Sequence, residues 1–194
     1  GYTYKCIEED GYPISAKVDM ELSSDSREAI VASMGRCSMG FAKVFTKLQP
    51  DLVVVLGDRY ELLPICSAAL VMRIPIAHIS GGDVTIGAID NEVRNAVTMM
   101  ASLHFPGVEE SAQNIIRMCN SSGNVWTVGE PGLDNFRRGT LMTRLELAEN
   151  IGIPIKNKWI LVTLHPETNE SLEYNLQMAK NIISLTDCKE DVSI

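Results

Sequence analysis

Among the charged side chains of residues 52–97, Asp58, Asp83, Asp90, Arg59 and Arg94, together with His78, stand at or beyond the ends of apolar runs. Carboxylates and imidazoles move protons near neutral pH, and arginine either binds phosphate or holds a carboxylate ionised. Gly57–Asp58–Arg59 directly follows one apolar run. His78 and the Ser80–Gly81–Gly82–Asp83 turn end another. Paired glycines let a backbone approach a ligand, and successive N–H groups can cradle an anion. No GKS or GKT follows, so this is not a Walker A loop. Asp90 and Arg94 stand four apart and share a face of a polar helix start. His165 closes a third apolar run.

Each residue also has a plainer reading. Asp58 could cap the next helix, and from spacing alone the two readings stand level. A lone Gly-Gly is a weak signal that also suits any tight turn. Asp90 and Arg94 taken alone read as dipole complementarity plus one surface pair, worth a few tenths of a kcal/mol. A lone histidine is more often structural, although His165 gains weight from its place at a strand end. No GxSxG supports a serine nucleophile. The combination favours proton transfer by carboxylates and histidine near a bound phosphate.

These groups need an element that brings them to one edge. Residues 52–56 and 74–79 read as buried strands, and residues 61–73, apolar on nearly every face, read as the crossover helix between them. The result is an α/β fold with a parallel sheet whose carboxyl edge carries the candidate groups, where ligands of open α/β sheets bind. Residues 17–22 alternate like a short strand. Ser23, Ser24 and Asp25 are cap types ahead of a long helix with a stripe at Ile30, Met34, Cys37, Phe41, Val44, Phe45 and Leu48, ending before Pro50. Gly35 and Gly40 within it suggest close packing against a neighbour. Residues 1–13 read as a loop or frayed helix. Residues 103–105, 124–128 and 159–164 read as further strands, and residues 109–119, 140–151 and 172–185 as helices. Pro131–Gly132 reads as a turn opening a short helix. Residues 156–158 read as a polar link, with a second α/β unit beginning near Ile155.

The 194 residues carry 17 basic and 25 acidic side chains, a net charge of -8. That balance argues against non-specific binding to nucleic acid or to an anionic membrane surface. The hydrophobic share of 45% suits a packed core. No apolar run is long enough to span a membrane, and no signal peptide is visible. The five cysteines, Cys6, Cys37, Cys66, Cys119 and Cys188, form no CxxC and no pair with metal-ligand spacing. They read as reduced, mostly buried thiols of a cytoplasmic protein, with no metal site.

The segments LVVVLGDRYE, IPIAHISGGDVTIGAIDNEVRNAVT, VGEPGLDN and ILVTLHPET, in this order, closely resemble the hydrolysing UDP-N-acetylglucosamine 2-epimerases of sialic-acid-type sugar synthesis. The likeness covers nearly the whole chain. It implies two Rossmann-like domains facing each other across a cleft, as in B-type glycosyltransferases. Residues 1–154 are then the N-terminal domain without its first strand–helix–strand, and residues 155–194 the start of a UDP-binding domain. The 194 residues alone are accordingly expected to be inactive, because half of the cleft lies outside them.

The reaction implied by the resemblance eliminates UDP from UDP-GlcNAc across C1–C2, giving a 2-acetamidoglucal, and then adds water to release N-acetylmannosamine. It needs no cofactor. Asp58 matches the family's cleft carboxylate after the strand, Asp90 a second acidic residue implicated in proton transfer, and His165 the histidine at the start of the second domain, and these three are the expected catalytic residues. Ser80 stands where the family often has Glu, and Asp83 could take over part of that role. Arg59, His78, Ser80, Gly81, Gly82 and Arg94 are the implied substrate contacts. Relatives act instead on UDP-2,4-diacetamido-trideoxyhexose for legionaminic acid, and the sequence does not separate the two substrates. Ser80 also leaves room for a non-catalytic nucleotide-sugar-binding module. A third reading is a B-type glycosyltransferase that leaves C2 uninverted. The resemblance further implies a homo-oligomer assembled through helices of the first domain.

Overall fold

The computed structural model describes residues 3–139, 141–155, 158–167, 170–186 and 192–193. Cys188, Thr140, Lys156 and Asn157, which carry expectations above, lie outside the described residues. The chain divides into two compact units, Gly1–Val84 with Asp90–Val128, and Thr85–Ile89 with Gly129–Ile194.

The first unit begins with a short helix α1 (Tyr4–Glu9) and the long α2 (Arg27–Leu48). The cap of α2 is Ser26, whose hydroxyl accepts from the Ala29 N–H at 3.2 Å, one residue beyond the cap types singled out in the sequence. Three parallel strands follow in the order β1 (Val53–Leu56), β2 (Ile76–Ile79) and β3 (Leu103–Phe105), with Val55 opposite His78 and His78 opposite His104. They are joined by α3 (Leu62–Val71) and α4 (Asp90–Met100), and α5 (Glu109–Cys119) comes after β3. The strand–helix–strand arrangement and its parallel sense are those expected from the two apolar runs.

The core forms where α2 and α3 meet the sheet. Phe45, Val55, Cys66, Ala68, Ala69, Ile76, Val93 and Val97 make one buried cluster, with Phe41, Val44 and Leu62 packed against it. Phe41 and Phe45 pack tilted, ring centroids 5.3 Å apart. Burial pushes the Cys66 thiol up to about 11 and also raises Cys37, so neither is an activated nucleophile. Cys6 is exposed and Cys119 half-buried.

Residues 17–22 form no strand, despite their alternation. Val18 instead lies on α2, with its side chain over Gly40 where a Cβ would otherwise sit. Gly35 has open space around it, so close packing explains only one of the two helical glycines. Residues 124–128 extend the sheet through a bridge rather than a full strand. His104 N–H donates to Asn124, Trp126 N–H to His104 and Val128 N–H to Pro106, at 2.9, 3.0 and 3.0 Å. Trp126 stacks on Phe105 with centroids 5.5 Å apart.

The second unit contains a 3-10 turn (Pro131–Asp134) leading into α6 (Asn135–Arg138), as the Pro–Gly pair suggested, then α7 (Arg144–Ile151) and α8 (Leu172–Thr186). A capping box sets the start of α7. Thr143 accepts from Glu146 N–H, and the Glu146 carboxylate accepts from Thr143 N–H at 2.7 Å. That fixes the helix start later than residue 140. Strand β4 (Lys158–Trp159) pairs in parallel with β5 (Val192–Ser193). Among the described residues the expected strand over 159–164 is seen only as Lys158–Trp159.

Candidate active-site edge

The first unit places Asp58, Ser80, Gly81, Gly82 and Asp83 in two turns at the carboxyl ends of β1 and β2. Asp90 and Arg94 reach that edge from the first turns of α4. Arg94 ties the turns together. One guanidinium nitrogen pairs with the Asp58 carboxylate, and Nη1 donates to the Asp83 carbonyl at 3.0 Å. The Arg94 side chain is 10% exposed and that of Asp58 25%. Breaking a pair this enclosed costs more than breaking a surface pair, because the charge left behind stays out of water.

The paired glycines have a packing role. A Cβ on Gly81 would lie 2.8 Å from His78 Nδ1 and 3.0 Å from Thr98 Oγ1. Gly82 has a φ of +82°, and a Cβ there would run into the Ser111 carbonyl and come within 2.8 Å of Ile115 Cγ1. The backbone approach anticipated for a ligand is thus made to protein, on α4 and α5. Helix α5 also fixes the turn from outside. Asn114 Nδ2 donates to the Gly82 carbonyl at 2.8 Å, and the Ser111 hydroxyl donates to the Asp83 carboxylate. Ser80 has a φ of +58°, a left-handed conformation uncommon for a serine, and its N–H donates to Phe105 at 3.0 Å.

His78 is fully enclosed. Its Nε2 lies 2.8 Å from the Gly57 carbonyl and its Nδ1 3.1 Å from Thr98 Oγ1. Burial lowers its pKa more than the Gly57 carbonyl raises it, so the ring is neutral. Burial also lowers the pKa of His104. Arg59 turns to Glu61 in a two-point pair, with Nε at 3.1 Å and Nη2 at 2.6 Å. The hydrogen bond to Glu61, its charge and that of Asp90 raise the Arg59 pKa despite some burial. Asp90 is half-buried at the start of α4.

His165 belongs to the second unit and is exposed. The segment that carries it is held by Asn175 on α8. Asn175 Oδ1 accepts from Glu167 N–H at 2.8 Å, and Nδ2 donates to the Glu167 carbonyl at 3.0 Å. In the same unit Gly87 faces Glu167, whose Oε2 lies 3.1 Å from where a Cβ would stand.

The edge can therefore present two carboxylate-bearing turns around an enclosed guanidinium. Among the described residues, no three His, Cys, Asp or Glu side chains converge as a metal would require, and no helix is long and apolar enough to cross a membrane. Thr98, Ser111, Asn114 and Asn175 were not singled out in the sequence. Thr98 had a signal, since it continues the four-residue spacing of Asp90 and Arg94. Ser111 and Asn114 had none beyond being polar beside an apolar stripe.

A family model described as UDP-N-acetylglucosamine 2-epimerase matches residues 2–194. A GDP/UDP-N,N'-diacetylbacillosamine 2-epimerase (hydrolyzing) of Campylobacter jejuni is 32% identical over 87% of this chain and 44% of its own length. Polysialic acid biosynthesis protein P7 of Escherichia coli is 33% identical over 92% of this chain and 45% of its own. The chain thus spans a little under half the length of these curated relatives. The crystal structure of the Neisseria meningitidis UDP-GlcNAc 2-epimerase bound to UDP-GlcNAc superposes with a TM-score of 0.78 at 19% identity, over 98% of this chain and 53% of that one, a likeness of fold. A parallel α/β unit with the two-domain fold of those enzymes, together with a sequence match from end to end, leads to one assignment: the chain belongs to the UDP-N-acetylglucosamine 2-epimerase family.

Proposed function

We propose that the protein bearing this chain is a hydrolysing 2-epimerase that removes UDP from UDP-GlcNAc and releases N-acetylmannosamine. One observation carries the reading within a chain of this family: Arg94 bridges the Asp58 and Asp83 turns at the sheet's carboxyl edge, with Asp90 on the same helix. In the first step a base takes the C2 proton, the C1–O bond breaks and UDP leaves with the bonding pair. In the second step water gives its hydroxyl to C1, and a proton returns to C2 from the opposite face. Asp90 and His165 are the proposed proton carriers, with Asp83 supporting them beside Ser80. Asp58, held by Arg94, supplies fixed negative charge where positive charge develops on the sugar. Arg59 and Ser80 border the proposed substrate space, and Gly81 and Gly82 shape the turn behind it. A cytoplasmic homo-oligomer is the form we propose for it.

A second reading is favoured by the name of the Campylobacter relative, at 32% identity. In it the same two steps act on a UDP-diacetamido sugar. Proton NMR of the full-length protein in D2O, with each sugar nucleotide in turn, tests both. Free UDP with N-acetylmannosamine deuterated at C2 is the expected result. Turnover of the diacetamido sugar alone would select the second reading. Release of UDP from neither would leave a non-catalytic nucleotide-sugar-binding module. Asp58→Asn, Asp90→Asn and His165→Ala should each reduce turnover by roughly 100-fold or more.

A further inference from the structure

We propose that His78 is a positioning residue for Asp58, acting through the Gly57 carbonyl without touching substrate, and that Thr98 holds its ring in place. The inference rests on the role proposed above for Asp58. A carbonyl oxygen can only accept, so the ring nitrogen 2.8 Å from it, Nε2, carries the proton. In a neutral ring Nδ1 is then an acceptor, matched by the Thr98 hydroxyl at 3.1 Å. His78 and Thr98 both have 0% exposure, so water does not substitute for either bond.

The Gly57 carbonyl and the Asp58 N–H belong to one planar peptide unit. Holding the oxygen therefore sets the plane from which the Asp58 Cα projects, and with it the reach of the carboxylate to Arg94. The ring is further confined on its other side. Gly81 packs so closely on His78 and Thr98 that a methyl group would not fit between them. Helix α4 thus acts on Asp58 twice, directly through Arg94 and indirectly through Thr98, His78 and Gly57.

The test compares variants of the full-length protein. Asn in place of His78 is too short for its amide to reach the Gly57 carbonyl, whereas Gln places an N–H near the position of Nε2. His78→Asn should lower kcat on the order of 100-fold, the scale of a small misplacement of a reacting group, with KM and the shape of the pH profile unchanged. His78→Gln should recover most of that loss. Thr98→Val should lower kcat by about tenfold, and Thr98→Ser should restore it. A parallel nitrogen-15 NMR experiment follows the Arg94 guanidinium, with Asp58→Asn as the reference for a broken pair. Both His78→Asn and Thr98→Val should move the Arg94 signals toward that reference.

The proposal is overturned if His78→Asn keeps wild-type kcat, if it changes KM or the pH profile instead, or if the Arg94 signals do not move in either variant. A wild-type protein that releases no UDP would sink the functional reading alone, and the Arg94 signals would then decide the positioning role.

Discussion

The two units hold their candidate groups in opposite ways. In the first, side chains distant in sequence converge on the turns: Asp58 with Arg94, His78 with Thr98, Asp83 with Ser111. Their partners are buried, and the bonds close only when the sheet and helices have assembled. In the second, the segment bearing His165 is clamped by Asn175, eight residues from Glu167, through backbone groups. Within these 194 residues, which span a little under half the length of the curated relatives, the clamp joins groups close in sequence. The first arrangement ties a turn to global stability, whereas the second can open locally. Geometry bought by long-range burial is therefore expected to fail all at once, and geometry held by a local clamp to fail by degrees.

The two tryptophans make the contrast measurable, because Trp126 lies in the first unit and Trp159 in the second. In the 194-residue chain, Trp159→Phe leaves Trp126 and Trp126→Phe leaves Trp159 to report urea unfolding of each unit separately. The largest effect is expected from Arg94→Met, which strands a partly buried Asp58 carboxylate and frees the Asp83 carbonyl. It should cost about 3 kcal/mol, the low end for a broken buried pair because Asp58 keeps some exposure. The loss should register at Trp126 and leave the Trp159 transition in place. Equal shifts at both tryptophans would mean that the two units unfold as one.

Gly82→Ala comes next, at about 2 kcal/mol, since alanine at a φ of +82° is strained and its methyl meets the Ser111 carbonyl. It too should be seen at Trp126. Asn175→Ala should cost only about 1 kcal/mol, at Trp159, because the two lost bonds are partly replaced by water. In the full-length protein kcat should also fall with KM unchanged if His165 is the proton carrier proposed above, since its segment loses the clamp. A stability loss without a kcat loss would break the link between the clamp and the chemistry.

The smallest effect is in pH. His78 and His104 both have folded pKa values pushed below the ordinary ~6.5 by burial. Below that value the unfolded chain binds more protons than the folded one, so stability is full above it and declines as pH falls toward the folded values. The Trp126 midpoint should decrease between pH 7 and pH 5. His78→Gln combined with His104→Gln should flatten that decline.

Much of the first unit was legible because its signals are local. A run such as 52–56 ending at Gly57 declares a strand, and the apolar helix after it the crossover. The expected burial holds for Val55 but not for Val54 and Leu56, which are 59% and 58% exposed on the outer strand β1 of the described sheet. The same logic failed at 17–22, where Val18 packs on Gly40 of α2 instead, and at 159–164, where pairing among the described residues reaches only Trp159. The charged candidates could be read from their positions at run ends. Their partners could not, because the bond from Ser111 to Asp83 or from Thr98 to His78 depends on how two elements pack, and neither carries a motif for it. The glycine pair shows the limit most clearly. Residue type announced a close approach, but only packing reveals that the neighbours are His78, Thr98 and Ser111.

Helix α4 carries Asp90, Arg94 and Thr98 at intervals of four, so one face of one element serves a carboxylate, a bridging cation and a buried hydroxyl. A helix turns by about 100° per residue. Deleting a single residue between Asp90 and Thr98 would swing one part of this row away from the other, whatever the residue removed. Most exposed positions of α4, such as Met99, can vary freely in type, but its length cannot. Across descendants of this gene, insertions and deletions should be absent from this helix even where its surface residues have drifted.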